Sequence, residues 1–201
     1  MVRQPCVLDF HLVHKEKRVN HYGGKELAGS FRTVRKNTVQ IAEDIPEEKY
    51  LYRPTPDLRS VGEMLTHIAV SSRFQEEINA KQKRTTMVGF DFVPLRQAML
   101  AEEKKPRNKA EIIELLRSSG EAWAHWLEGL SDSFLAESVS MPPGGTPPSR
   151  TRFDMLLSVK EHEMHHRAQL MLVERLIGVV PHLTRDRQAQ RQEREAQTAK
   201  H

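Results

Sequence analysis

Apolar residues recur at intervals of three and four positions in four separate segments of the chain. The segments cover residues 25–45, 60–80, 108–130 and 151–177, and proline, glycine or a capping residue marks their ends. An apolar stripe with this spacing occupies one face of an α-helix, and that face is stable only when it is buried against another element. No segment shows the alternation that would favour a strand. The sequence therefore predicts an all-α protein that folds as a four-helix bundle.

Three of the predicted helices begin with a recognisable capping residue. Ser60 is followed three positions later by Glu63, which is the arrangement of a capping box. Asn108 and Thr151 stand in the same position before the third and fourth apolar stripes. The fourth helix is expected to end at Gly178, shortly before a proline.

Two long connections separate the helices. Residues 81–108 contain prolines and a glycine, and we predict only a helical turn there, near 95–103. This connection is long enough to return along the second helix, so the second and third helices can run parallel. Residues 131–150 include the sequence MPPGGTPPSR, and no regular structure is predicted for them.

The apolar stripe of the fourth helix contains two histidines, His162 and His166. Residues four positions apart lie one turn apart on the same face, with Cβ atoms about 5–6 Å apart, so both rings can reach one metal ion. The alternative is that each ring is a core histidine satisfied by a hydrogen bond. His165 lies toward the flank of the stripe, where a supporting or surface role is expected. Gln169 lies near this stripe and has two possible roles: a functional one, in which it orients a ligand or lines the pocket, and plain packing.

The composition limits other classes of function. The chain has one cysteine, Cys6, which excludes an internal disulfide and fits a reducing cytoplasm. No apolar run is long enough to span a bilayer, and the N-terminal sequence is too polar for a secretory signal. The formal net charge of +4 is only mildly basic, and no aromatic residue is interleaved with the arginines near the C-terminus. We therefore expect no membrane and no specific nucleic-acid partner.

The predicted organisation of the chain has three parts. Residues 1–24 are expected to form a flexible leader, and residues 25–181 the bundle. Residues 182–201 contain almost no apolar side chain, so a charged, solvated tail is expected there.

Two segments resemble the DinB/YfiT-like superfamily of four-helix-bundle metalloproteins. The first, Arg53 to Ala69 (RPTPDLRSVGEMLTHIA), resembles the proline-containing lead-in to the family's second helix, which carries a histidine in its second turn. The second begins at His162 (HEMHHRAQLMLVERLIGVVP) and resembles the family's H-x-x-x-H segment with the G-x-x-P that follows. The resemblance extends over about residues 25–180. Ala168 departs from the pattern, because many members have glycine there.

By position, the resemblance implies that His67, His162 and His166 are metal ligands. It also implies an up-down-down-up order of the four helices. The expected cofactor is one divalent metal ion, with zinc or nickel preferred, although imidazole also suits iron and copper. A cytoplasmic homodimer that acts on a small molecule is expected.

Three histidines leave one coordination position open, which is typical of catalytic rather than structural sites. Members of the superfamily that this sequence resembles include thiol-dependent transferases, so the first hypothesis is a metal-dependent transferase that uses a small thiol cosubstrate. The second is a metal-dependent hydrolase that uses hydroxide. The third is a bundle that binds metal or dimerises without catalysis. No residue stands out as a general base, so the sequence leaves the catalytic residues unassigned.

Overall fold

The structure, a computed structural model, describes residues 22–199. Within that range the chain forms eight α-helices and a short hairpin. The helices are α1 (Gly24–Asp44), α2 (Val61–Val70), α3 (Ser72–Gln75), α4 (Val93–Glu103), α5 (Lys109–Glu128), α6 (Asp132–Ala136), α7 (Arg152–Leu176) and α8 (His182–Thr198). The strands are β1 (Ser138–Ser140) and β2 (Ser149–Thr151). A 3₁₀ turn covers Glu47–Lys49, and a π-helical turn covers Glu76–Lys81.

The bundle consists of α1, the broken helix α2–α3, α5 and α7. At one end of the bundle, Gly24 at the start of α1 lies so close to the last turn of α5 that a Cβ would be 2.5 Å from a carbonyl oxygen. At the other end, Lys109 at the start of α5 donates a hydrogen bond to the carbonyl of Ile45, just after α1. α1 and α5 are therefore antiparallel. The start of α2 lies beside the start of α5, where Gly62 faces Ile112, so these two helices are parallel.

Two apolar clusters lie between the four bundle helices and fix the direction of α7, and a third, which includes Ile78 and Val139, lies beside the hairpin. The cluster near the start of α1 joins Leu27 to Leu156, and the cluster near its end joins Ile41 to Leu170. α7 therefore runs parallel to α1, which confirms the predicted up-down-down-up bundle. Burying a large apolar side chain contributes about 1.5–3 kcal/mol. Further large apolar side chains of these two clusters are also almost fully shielded from solvent. They are Phe31, Ile45, Leu65, Ile68, Leu116, Trp123 and Leu127.

The second helix of the bundle is interrupted, although the sequence predicted one continuous helix. Ser71 separates α2 from α3, and the backbone then widens into the π-helical turn. Such turns often occur at functional sites, because the extra residue changes where the side chains point. Here the turn brings the buried side chain of Asn79 to Arg152 at the start of α7, where the guanidinium donates to Oδ1 at 2.9 Å.

The prediction that residues 131–150 lack regular structure is wrong. α6, β1 and most of β2 lie in this segment, and β1 pairs antiparallel with β2 so that Val139 faces Arg150. Each strand has only three residues, which is too short for its alternation to be recognised in the sequence. The prolines and glycines occupy the loop between the strands rather than the strands themselves.

The connection between the second and third bundle helices contains α4, a helix of 11 residues where the sequence predicted only a turn. Glu103 is the one buried residue of α4. Because its other side chains are wholly or partly exposed, no apolar stripe revealed the helix in the sequence. α4 packs against α2 and so places Glu103 beside the end of that helix.

The two ends of the chain differ in what can be described. The predicted leader falls outside the described residues except for its last three, 22–24. Most of the predicted tail is α8, whose side chains are exposed after the first turn. His182 is buried, and Arg185 forms an ion pair with Asp44 of α1 at 2.6 Å. Between residues 22 and 199, no helix is long and apolar enough to span a bilayer.

Candidate metal centre

Three histidines from two helices, α2 and α7, converge where these helices pack together. Nε2 of His162 on α7 lies 3.1 Å from Nε2 of His67 on α2 and 3.1 Å from Nε2 of His166, one turn further along α7. All three potential ligand atoms lie within 4.8 Å of one another. A tetrahedral ion with Zn–N bonds of about 2.0–2.1 Å separates its ligand atoms by about 3.3 Å. The spacing of the three rings is therefore that of one metal site.

The outer nitrogens of two rings are held by acceptors, which fixes the tautomers. Nδ1 of His67 lies 2.7 Å from a carboxylate oxygen of Glu103, and Nδ1 of His166 lies 2.8 Å from Oε1 of Gln169. Because both partners accept, the two Nδ1 atoms donate and the two Nε2 atoms carry lone pairs directed at the centre. His162 can donate a proton to only one of them, and its buried Nδ1 has no partner within residues 22–199. A cation satisfies three converging lone pairs, so the donor set fits a metal ion.

The protonation states also favour a metal. Burial lowers the pKa of His162 to about 4, and the neighbouring rings of His166 and His67 add to the shift. Burial likewise lowers the pKa of His166. Both imidazoles are therefore neutral near pH 7, and the neutral ring is the form that binds a metal.

A cavity of about 250 Å³ opens beside His67 and His162. It lies between α3, α4 and α7, so both irregular features of the chain, the break after α2 and the helix in the long connection, contribute to its wall. Among residues 22–199, none of the other residues that line the cavity carries a charge. They are Ser71, Phe74, Gln75, Met99, Ser158 and Val159.

Comparison with known protein families shows which family this chain is related to. The sequence model of the DinB superfamily matches residues 30–170, which is 141 of the 201 residues. The chain belongs to the DinB superfamily. The match spans all three histidines of the candidate site. None of the curated proteins matches the sequence.

Two solved structures from Bacillus subtilis share the DinB fold of this chain. YfiT is 18% identical with a TM-score of 0.59, and the match covers 78% of this chain and 88% of YfiT. YfiT is described as a probable metal-dependent hydrolase with an unusual four-helix bundle topology. The DinB-like protein YjoA is 20% identical with a TM-score of 0.56, over 76% of this chain and 92% of its own. Identities this low establish the shared fold and leave the chemistry to be argued from the site.

Sequence reasoning missed Glu103, although it contacts a predicted ligand. Its carboxylate is buried and is shared between His67 and Arg59, whose Nε donates at 2.6 Å. Burial acts to raise the pKa of Glu103, but the hydrogen bonds from His67 and Arg59 outweigh it, so the pKa lies below its ordinary value. A carboxylate partner is common for a metal-binding histidine. No spacing in the sequence connects Glu103 to a histidine 36 positions away.

The structure decides between the two roles considered for Gln169. Its Oε1 accepts from His166, and its Nε2 lies 3.1 Å from Nε2 of His165. Gln169 therefore orients a candidate ligand rather than packing in the core. His165 is exposed and contacts Gln169, which agrees with the supporting or surface role predicted for it.

Proposed function

We propose that this DinB protein is a metal-dependent hydrolase that acts on a small molecule. The observation that carries the proposal is the convergence of three Nε2 atoms, from His67, His162 and His166, two of which belong to rings that line a cavity. The description of YfiT as a probable metal-dependent hydrolase supports the same reaction class.

In the proposed reaction the ion would supply the chemistry, and the protein would hold the ion and orient the substrate. His67, His162 and His166 would hold a divalent ion, which would supply Lewis-acid chemistry and make a water molecule more acidic. Glu103 and Gln169 keep the Nε2 atoms of His67 and His166 directed inward. The walls of the cavity would orient the substrate beside His67 and His162. We propose zinc or nickel, because neutral imidazole ligands suit both.

A thiol-dependent transferase, the reaction implied by the resemblance, would use the same three ligands. The observation in its favour is that no carboxylate of residues 22–199 lines the cavity beside His67 and His162. A thiol that is converted to a thiolate by a bound cation needs no protein base. The transferase, the homodimer and the cytoplasmic location stay predictions.

The first experiment measures metal content in protein purified without a histidine tag. We expect about one divalent ion per chain, and most of it should be lost in His67→Ala, His162→Ala and His166→Ala. His165→Ala and His125→Ala, which alter exposed histidines, should retain the ion. Equal loss from all five variants would contradict a defined site.

The second experiment separates the reaction classes. Metal-loaded protein is assayed against a panel of uncharged esters and amides, with and without a low-molecular-weight thiol. Hydrolysis that disappears in His166→Ala and needs no thiol supports the hydrolase. Conjugation of the thiol to an electrophile, without hydrolysis, would replace it with the transferase. A loaded protein that turns over neither class would favour the non-catalytic bundle.

A further inference from the structure

The orientation of one amide in the cavity wall is fixed by a series of hydrogen bonds that begins at Arg152. The guanidinium of Arg152 is buried and can only donate, so the side chain of Asn79 presents Oδ1 to it at 2.9 Å. The amide nitrogen of Asn79 then donates to Oε1 of Gln75 at 2.7 Å. Gln75 is left with its NH₂ group, which finds no acceptor among residues 22–199. Because Gln75 lines the cavity, this group is a donor available to a ligand.

The two hydroxyl groups of the wall offer no such donor. The hydroxyl of Ser71 donates to the carbonyl of Ile68 at 2.9 Å, and the hydroxyl of Ser158 donates to the carbonyl of Met155 at 2.6 Å. Each hydroxyl has one proton, so both protons are already used within their own helices. Apart from the imidazole rings, Gln75 therefore supplies the free neutral donor of this wall.

The rest of the wall is apolar and is held in place by aromatic contacts. The ring of Phe74 stacks on Phe92 with centroids 5.2 Å apart and meets Phe90 edge-on. Met99 and Val159 complete the apolar surface. Within the described part of the chain, no side chain lining the cavity other than the histidines could neutralise a charged group. Burial of an unpaired charge is strongly unfavourable.

We infer that the part of the substrate that fills this cavity is uncharged, with an apolar group against Phe74 and Met99. It also bears a carbonyl-type oxygen that accepts a hydrogen bond from Nε2 of Gln75. This inference rests on the proposed function and names the substrate class of the same site. Asn79 and Arg152 are positioning residues, because they act on the substrate only through the orientation of Gln75.

Binding to cobalt-substituted protein tests the inference without turnover. Hydroxamates chelate the ion, and their other end occupies the cavity. The probes are three benzohydroxamates of similar shape, with an acetyl, an isopropyl or a carboxylate group on the ring, and acetohydroxamate as a probe of the metal alone. Dissociation constants are read from the change in the cobalt spectrum. The acetyl compound should bind about three- to tenfold more tightly than the isopropyl compound, which is the effect of one hydrogen bond. The carboxylate should bind most weakly.

Variants assign the selectivity to particular residues. Gln75→Leu should abolish the preference for acetyl over isopropyl, while the affinity for acetohydroxamate stays unchanged. Asn79→Asp replaces the donor that faces Oε1 of Gln75, so the Gln75 amide should reverse and lose the same preference. Met99→Lys should strengthen binding of the carboxylate. Gln82→Leu, which alters an exposed glutamine outside the cavity, is the matched control.

The possible outcomes separate this inference from the proposed hydrolase. Tight binding of the carboxylate, or an acetyl preference that survives in Gln75→Leu, would overturn the inference. If Asn79→Asp lowered the stability of the protein but kept the acetyl preference, the positioning role of Asn79 would be overturned. Selective binding without hydrolysis would uphold the inference and reject the hydrolase. Failure to take up cobalt would overturn both.

Discussion

At the residue scale, the carboxylate of Glu103 couples a helix outside the bundle to the candidate centre. It accepts a hydrogen bond from Nδ1 of His67 at 2.7 Å and pairs with Arg59 at 2.6 Å. Loss of such a partner weakens metal affinity by about 10–100-fold. Glu103→Ala should therefore weaken zinc binding by that factor, measured by competition with a chromophoric chelator.

Two control variants make that result specific. Glu103→Gln keeps an acceptor for His67, so it should lose much less affinity than Glu103→Ala. Glu102→Ala removes the neighbouring carboxylate, which pairs with Lys105 and not with His67, and it should bind zinc normally. Unchanged affinity in Glu103→Ala would show that the orientation of His67 does not depend on this carboxylate.

Glu174 gives the protein a pH dependence that does not involve the candidate centre. It is buried, and neither carboxylate oxygen has a partner among the described residues. Burial, helped by the nearby charge of Asp44, raises the pKa of this carboxyl to about 7 from an ordinary value of 4.5. Between these two values the folded protein holds a proton that the unfolded chain has released. The stability that this proton confers is therefore lost as the pH rises from about 5 to about 7.

Glu174→Gln should remove that loss, because the amide stays neutral at every pH. The free energy of unfolding at pH 8 should rise by about 1–3 kcal/mol over the unaltered protein, with little change at pH 5. Urea denaturation at several pH values measures the difference. Glu161→Gln, at an exposed position of the same helix, is the control. Parallel pH profiles for Glu174→Gln and the unaltered protein would show that Glu174 is ionised in the folded state.

The candidate ligands show which site residues can be predicted from spacing in the sequence. His162 and His166 were identified from their positions on one helical stripe, because four residues make about one turn. His67 lies 95 positions before His162, and only the resemblance to a family identified it. Glu103 has no local signal, since its partner lies on another helix. Local geometry is therefore predictable, and the pairing of distant residues is not.

At the element scale, the starts of the helices were predictable from local sequence, whereas the hairpin, which depends on pairing between separate segments, was not. Ser60, Asn108 and Thr151 each accept from the backbone of the residue three positions later, as the sequence predicted. Such caps depend on neighbours in the chain. The hairpin formed by β1 and β2 depends on pairing across a loop that is rich in proline and glycine. Because that composition is typical of irregular structure, the sequence did not indicate the two strands.

α8 allows a test of where the folded domain ends. His182 is buried and Arg185 pairs with Asp44, whereas the side chains after the first turn of α8 are exposed. Deletion of residues 186–201 should therefore leave the melting temperature nearly unchanged. Deletion of residues 182–201 should lower it by several degrees, because each kcal/mol corresponds to about 2–4 °C in a chain of this size. Differential scanning calorimetry compares the two truncations. Equal melting temperatures would show that the start of α8 contributes nothing to the fold.

At the scale of the whole molecule, a buried ion pair joins the helices of the bundle between its two apolar clusters. Arg35 on α1 forms hydrogen bonds to Glu163 on α7, with the closest at 2.9 Å, and both side chains are almost fully buried. The same guanidinium donates to the carbonyl of Leu116 on α5 at 2.6 Å and to that of Ile68 on α2 at 3.4 Å. One side chain thus contacts the other three helices of the bundle. Because Glu163 follows His162 directly, the pair also holds the ligand-bearing turn of α7 in register.

The energetic role of this pair can be measured by removing one partner or both. Glu163→Ala should cost about 3–5 kcal/mol of unfolding free energy, because it leaves the buried guanidinium of Arg35 without its counter-charge. The double variant Arg35→Met with Glu163→Leu removes both charges and keeps most of the volume, so it should be considerably more stable than Glu163→Ala. Urea denaturation gives both values, and an unchanged slope of unfolding free energy against urea concentration would show that the fold is preserved.

If the double variant were as unstable as Glu163→Ala, the hydrogen bonds of Arg35 to the carbonyls of α2 and α5, rather than the ion pair, would stabilise the bundle. Metal content measured on the double variant then shows whether the register of α7 depends on the charges or on apolar packing alone.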